Sequence, residues 1–251
     1  MPTQPQSTTD GVARCARYAF GPNRLHLCGP DTNKEVLAYL EAGGSDAGLE
    51  HILQGFKTLY PYLQTIAQAN NIGDPFTNRV VEAYWIGNEL LENIPLKSFY
   101  HHLIDKLSFK KHYNPKLLNQ LLNKLPQGAF MHHSFHVFNA YERTGHDNLL
   151  HTPENMDACR ISWGRVTSVD GSKIILQRKP LILEGHSLRL GNEQEYILRR
   201  QLGDDALFDD LAPGQFITIH WNVPCEIIKP ENIKWLEYYT LKHLALANKT
   251  L

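Results

Sequence analysis

The chain has 251 residues, of which 42% are hydrophobic and 20% charged; this describes a folded protein with a core and excludes a disordered one. The formal net charge of −1 leaves no electrostatic footprint for duplex nucleic acid or an anionic membrane surface. No apolar run approaches the ~20 residues needed to span a bilayer, so neither nucleic acid nor membrane is an expected partner.

The opening MPTQPQSTTDG is polar and has no apolar segment of the secretion-signal kind. A cytoplasmic chain is expected, with Cys15, Cys28, Cys159 and Cys225 reduced, since no two of them form a C-x-x-C pair. Residues 1–12 read as a disordered tail. The next stretch, RYAFGPNRLHLCGPD, is bounded by Gly-Pro turns at 21–22 and 29–30. It reads as an irregular segment lying against a helical body. Thr32 and Glu35 have capping-box spacing and start a helix that stops at Gly43-Gly44. From Asp46, apolar residues at Leu49, Ile52, Leu53, Phe56, Leu59, Leu63 and Ile66 recur with helical period. Pro61 should kink or split that helix. Asp74-Pro75 then reads as the start of another helix, carrying Val80, Val81, Tyr84, Trp85, Leu90 and Leu91 and ending at Pro95. Two more helices are expected near 97–107 and 115–124, with Pro126 and Gly128 closing the helical section.

The pattern changes after Ala158. RISWGRVTSV, KIILQR, HSLRL, EYILRR and QFITIHW read as strands separated by glycine-containing turns. Short strands at this spacing predict a small β-barrel or rolled sheet. A last helix is expected from about Glu231 to Asn248. The fold class is therefore α+β: a helical region over 13–150, a barrel-like region over 151–228, and a C-terminal helix within 229–251 that packs on the body.

The densest group of chemistry-bearing residues is FMHHSFHVF. His132 and His136 stand four apart, so on a helix both imidazoles would share one face, and His133 lies between them. Neutral imidazole suits iron, another transition metal or a haem iron, and the spacing does not choose among them. A hydrogen-bonded, non-functional junction is about as good an account of the same histidines. In RLHLCGP, His26 and Cys28 are two apart and would point to one side of an extended segment. They are candidates for cofactor binding, and Cys28 alternatively for a nucleophile; the bland alternative is a buried free thiol. Cys159 would open the first strand and is a second candidate catalytic thiol. Glu50, Glu82 and Glu89 lack the Glu-x-x-His pattern of a di-iron bundle, and Glu82 reads as a structural ion-pair partner of Arg79. His220, alternating within FITIHW, reads as a strand side chain facing a polar partner. There is no P-loop, no dinucleotide-binding glycine motif and no G-x-S-x-G elbow.

CRISWGRVTSVDGSKIIL, residues 159–176, resembles the opening of the small β-barrel chaperones of nickel–iron hydrogenase maturation, the HypC family. The resemblance implies that Cys159 helps to carry iron and that the partner is a metalloenzyme or a maturation protein. Trp163 stands where that family has a proline, and Cys159 is internal where the family's cysteine is N-terminal. NRLHLCGP, YPYLQTIAQANNIGDPF, VVEAYWIGNELL, HHSFHVF and CRISWG also resemble an uncharacterised bacterial and archaeal family across most of the chain. The expected function is a metal- or metal-cofactor-binding accessory protein assisting metalloenzyme assembly. The alternatives are a metal- or haem-dependent enzyme using the same residues, and a non-catalytic interaction module.

Overall fold

The computed structural model describes residues 10–140, 150–202, 205–206 and 211–251. The front half is a stack of short helices, and the back half is a curled antiparallel sheet closed off by one long helix.

Helix α1 spans Gly11–Asn23, where an irregular segment was expected. Asp10 caps it, its carboxylate accepting from the Val12 N–H; Pro22 lies in the last turn, and the Tyr18 carbonyl four residues before it, which a proline cannot serve, accepts from His220 Nδ1 at 2.6 Å instead. Cys15, Ala16, Tyr18, Ala19 and Phe20 are all buried, which explains why the stretch was too apolar for a free loop. Of the expected tail, residues 1–9 lie outside the described residues, and Gly11 and Val12 belong to α1.

Helix α2 (Asn33–Ala42) forms as expected, although the Thr32 side chain makes no capping bond. It ends at Gly43 with φ of 65°, the left-handed stop that glycine permits. The following helical pattern is split into α3 (Ala47–Gln54) and α4 (Leu59–Ala69). The break precedes Pro61, which sits in the first turn of α4, where its missing N–H costs nothing. Asp74-Pro75 does not start a helix: Asp74 accepts from the Phe76 N–H in a turn, and α5 runs from Asn78 to Trp85. A 3₁₀ turn follows at Glu89–Leu91. Helix α6 (Leu96–His101) continues as a π-helical turn over His102–Lys106, then come α7 (Phe109–His112) and α8 (Pro115–Asn123). Helical structure extends beyond Pro126-Gly128, as α9 (His133–Phe135), a second π-turn (His136–Ala140) and α10 (Pro153–Cys159).

Strands β1 (Ser162–Asp170) and β2 (Lys173–Arg178) form a hairpin. They are followed by β3 (Leu181–Glu184), β4 (Ser187–Leu190), β5 (Gln194–Arg199), β6 (Gln201–Leu202), β7 (Asp205–Ala206), β8 (Phe216–His220) and β9 (Val223–Ile228). The main sheet has the order β5-β2-β1-β8-β9, all antiparallel; β3–β4 and β6–β7 are separate hairpins. The sheet rolls until its edge strands approach each other, and the Tyr196 hydroxyl bonds to Asn222 in the β8–β9 turn. Its inner face holds Val166, Ile174, Leu176, Leu198, Ile217 and Ile219. β3 and β9 were not anticipated. β9 contains Pro224, which is tolerated because β9 is an edge strand and because a register shift falls beside it.

Helix α11 (Pro230–Ala247) packs back on both halves. Tyr239 donates to the Asn88 carbonyl at 3.1 Å, and the Asn248 amide brackets the Leu188 backbone at 2.8 and 2.9 Å. One hydrophobic core runs from the front helices into Ile161, Val223, Cys225 and Ile228 of the back half. Arg14 bridges the same boundary, bonding Glu226 at 2.6 Å and Glu82 at 3.4 Å. Glu82 is thus the partner of Arg14, whereas Arg79 pairs with Glu89. No helix among the described residues is long and apolar enough to cross a membrane.

Candidate metal centre

Three side chains from distant parts of the chain meet at the boundary between helices and sheet. His133 comes from α9, Cys159 from the C-terminal end of α10, and His220 from the last position of β8. One ring nitrogen of each histidine and the Cys159 sulfur lie within 4.8 Å of one another. Zinc binds thiolate at about 2.3 Å and imidazole at about 2.0–2.1 Å. Tetrahedral ligands at these bond lengths stand roughly 3.3–3.8 Å apart, so side chains whose ligand atoms lie within 4.8 Å of one another have to rotate inward to seat one ion.

Local structure places each group. The β8–β9 turn puts Trp221 at φ 49° and Asn222 at φ 61°, the double left-handed conformation of a tight two-residue hairpin. A tryptophan is strained there. The Trp221 N–H bonds to the Ala158 carbonyl at 2.8 Å, which pins the end of β8 to the end of α10 and so brings His220 to Cys159. Helix α1 closes the third side. Its Gly21 lies so near β8 that a Cβ there would stand 2.4 Å from the His220 carbonyl oxygen. Gly21→Ala is therefore expected to destabilise the fold by roughly 1–3 kcal/mol, read as a lowered urea midpoint, because backbone rather than a flexible side chain must move.

The tautomers of both histidines are set by backbone carbonyls. His133 Nε2 donates to the Cys159 carbonyl at 2.8 Å, which leaves Nδ1 as the lone-pair nitrogen, 3.2 Å from the Tyr84 hydroxyl. His220 Nδ1 donates to the Tyr18 carbonyl at 2.6 Å, and Nε2 has no hydrogen-bond partner among the described residues. One nitrogen held by a carbonyl and the other presenting a lone pair is the arrangement that orients metal-ligating histidines. Burial keeps both rings neutral. It holds His133 well below the ordinary imidazole range, with His220 adding to the effect, and pulls His220 down to about 4 against the opposing carbonyls of Tyr18 and Cys159.

The cluster faces a cavity of about 50 Å³ lined also by Cys28, His136, Tyr84, Trp85 and Trp221. That volume accommodates an ion with a few small ligands. The lining contains no carboxylate and no lysine or arginine. Cys28 is held at the rim by the Asn23 amide, which donates to the Cys28 and Pro30 carbonyls at 3.0 and 2.8 Å.

Of the residues singled out in the sequence, the structure brings His133, His136, Cys28 and Cys159 to this cavity and leaves two elsewhere. His26 is exposed, with φ 56°, and its ring pairs with Asp31 at 2.9 Å; it does not share a side with Cys28. His132 and His136 do not share a helical face, because His132 is the N-cap of α9 and His136 begins a π-turn. The His132 Nδ1 accepts from the Ser134 N–H, and its ring stacks on Tyr239 at 5.0 Å, away from the cavity. Cys159 ends a helix and does not open a strand. His220 had been given a structural role. Its position as the final strand residue, next to the β8–β9 turn that meets α10, was the available signal.

These features define an α+β protein with a buried His/Cys cluster capable of holding a metal ion. The sequence profile of DUF6390, a family of unknown function, matches residues 7–251, and the chain belongs to that family. No curated protein and no solved structure matches the chain.

Proposed function

We propose that this protein holds one transition-metal ion on His133, Cys159 and His220 and serves as an accessory protein in the assembly of a metalloenzyme. The observation that supports it is the convergence of these three ligands, the two imidazoles oriented by carbonyls and kept neutral, on a small cavity. One thiolate and two imidazoles suit zinc, iron(II) or copper and leave a coordination position open. The cavity wall carries no carboxylate, so the ligand set it offers an ion is imidazole and thiolate. Cys28, at the same cavity, is a second thiol through which an ion can leave by ligand exchange. The nickel–iron hydrogenase as client rests on the resemblance of residues 159–176 alone.

The test is metal content of anaerobically purified protein by elemental analysis, together with cobalt(II) titration. One ion per chain and a sulfur-to-cobalt charge-transfer band are expected. Cys159→Ala should abolish the band, and His220→Ala should weaken binding by about tenfold or more, the usual range for losing a metal-site contact. A metal-free protein that gives no band with cobalt would overturn the metal centre. Co-purification with a metalloenzyme precursor or maturation protein is expected of the accessory role; turnover of a small molecule by the loaded protein without any partner would replace it with the enzyme reading.

A further inference from the structure

A second cleft, of about 200 Å³, opens where β1 begins and β2 ends, under α11. Its lining includes Arg160, Arg165, Arg178 and Lys179, with Trp163 and Phe216 as aromatic walls. Arg160 and Arg178 are 1% and 7% exposed, and the only carboxylate bonded to either among the described residues is Asp157. Asp157 is shared by three donors: its Oδ1 takes Arg160 Nε at 2.8 Å and the Leu181 N–H at 2.9 Å, and its Oδ2 takes Arg178 Nη2 at 2.9 Å. Arg178 Nε has no hydrogen-bond partner among the described residues, and one face of its guanidinium lies over the Tyr196 ring at 3.9 Å. Arg165 and Lys179 are exposed at the rim and make no ion pair among the described residues. Glu193 and Glu237 also line the cleft, so together with Asp157 four cations face three carboxylates.

An interior with surplus guanidinium is costly unless something anionic completes it. The planar guanidinium fork matches carboxylate and phosphate oxygens, and aromatic walls favour a ligand with an apolar body. We propose that this cleft binds a small organic oxyanion, a carboxylate or a phosphate ester, through Arg178 with Arg165 and Lys179 at the mouth. The site is separate from the His133–Cys159–His220 cluster in its lining and does not depend on metal.

The probes are phenyl phosphate, benzoate and inorganic phosphate, titrated into the full chain by calorimetry at constant ionic strength, with sodium chloride as control. Saturable one-to-one binding of phenyl phosphate or benzoate is expected, and the preferred probe identifies the oxyanion. Arg165→Gln with Lys179→Gln, both exposed and so neutral for folding, should weaken it about tenfold or more, the scale of a charge-assisted hydrogen bond. Arg178→Lys, which keeps the charge but not the fork, should also weaken it. The proposal is overturned if none of the three probes binds at millimolar concentration, if sodium chloride reproduces the signal, or if affinity is unchanged in both the double variant and Arg178→Lys.

Discussion

Acidification from pH 6.5 toward about pH 5 should unfold this protein cooperatively. Five histidines are buried and held neutral, in each case chiefly by desolvation: His102, His132, His133, His220 and His243. His132 is pulled down to about 3 and His220 to about 4, from an ordinary 6.5. In the unfolded chain these rings protonate as the pH passes 6.5; in the folded chain they do not. The unfolded state therefore binds more protons, and stability is complete above the unfolded value and lost as pH falls toward the folded ones. Each extra proton costs about 1.4 kcal/mol per pH unit. Several such groups acting together give a slope on the order of 5–7 kcal/mol per unit, comparable with the whole stability of a domain. Urea melts from pH 7.5 downward should show a midpoint that collapses below the histidine range, and a midpoint flat to pH 5 would contradict it. His132→Phe should flatten part of the slope, because its ring stacks on Tyr239 and needs no charge.

Asp157→Ala should cost about 3–5 kcal/mol, the largest effect expected of a single substitution. The Asp157 carboxylate is the common partner of Arg160 and Arg178, whose side chains are only 2% and 7% exposed. It also accepts from the Leu181 N–H, so it joins α10 to the end of β2 and the start of β3. Removing it leaves two largely buried guanidinium groups close together without a counter-charge. Arg160→Met in the Asp157→Ala background should recover part of the loss, since an apolar chain of similar length needs no partner. A double-mutant cycle by urea unfolding measures that coupling. Additive effects of the two substitutions would show that the pair is not energetically linked.

The helices with strong periodicity and clear ends were legible in the sequence. Gly43 stopping α2, and Pro115 opening α8 after Asn114, are local signals that tertiary structure did not override. α1 was misread because Gly21-Pro22 looked like a turn, whereas Pro22 sits in a last helical turn and Gly21 is there for a close contact with β8. β9 was missed because Pro224 counts against a strand, and only its edge position makes it acceptable. At the candidate site the limit was different in kind. Residue types picked out Cys28, His133 and Cys159, but His220 is 87 positions from His133 and is brought to it by a backbone bond from Trp221 to Ala158. No local pattern encodes that bond. The four-residue spacing of His132 and His136 misled because it presumes α-helical winding, and the chain winds there as a cap followed by a π-turn.

The proposed ligands at positions 133, 159 and 220 also imply an order of events in biosynthesis. A nascent chain that has not yet released β8 from the ribosome carries only two of the three. The wall made by α1 is synthesised first but has nothing to close on until Trp221 meets Ala158. On the proposed reading, the complete three-ligand site exists only once the sheet has been translated and folded.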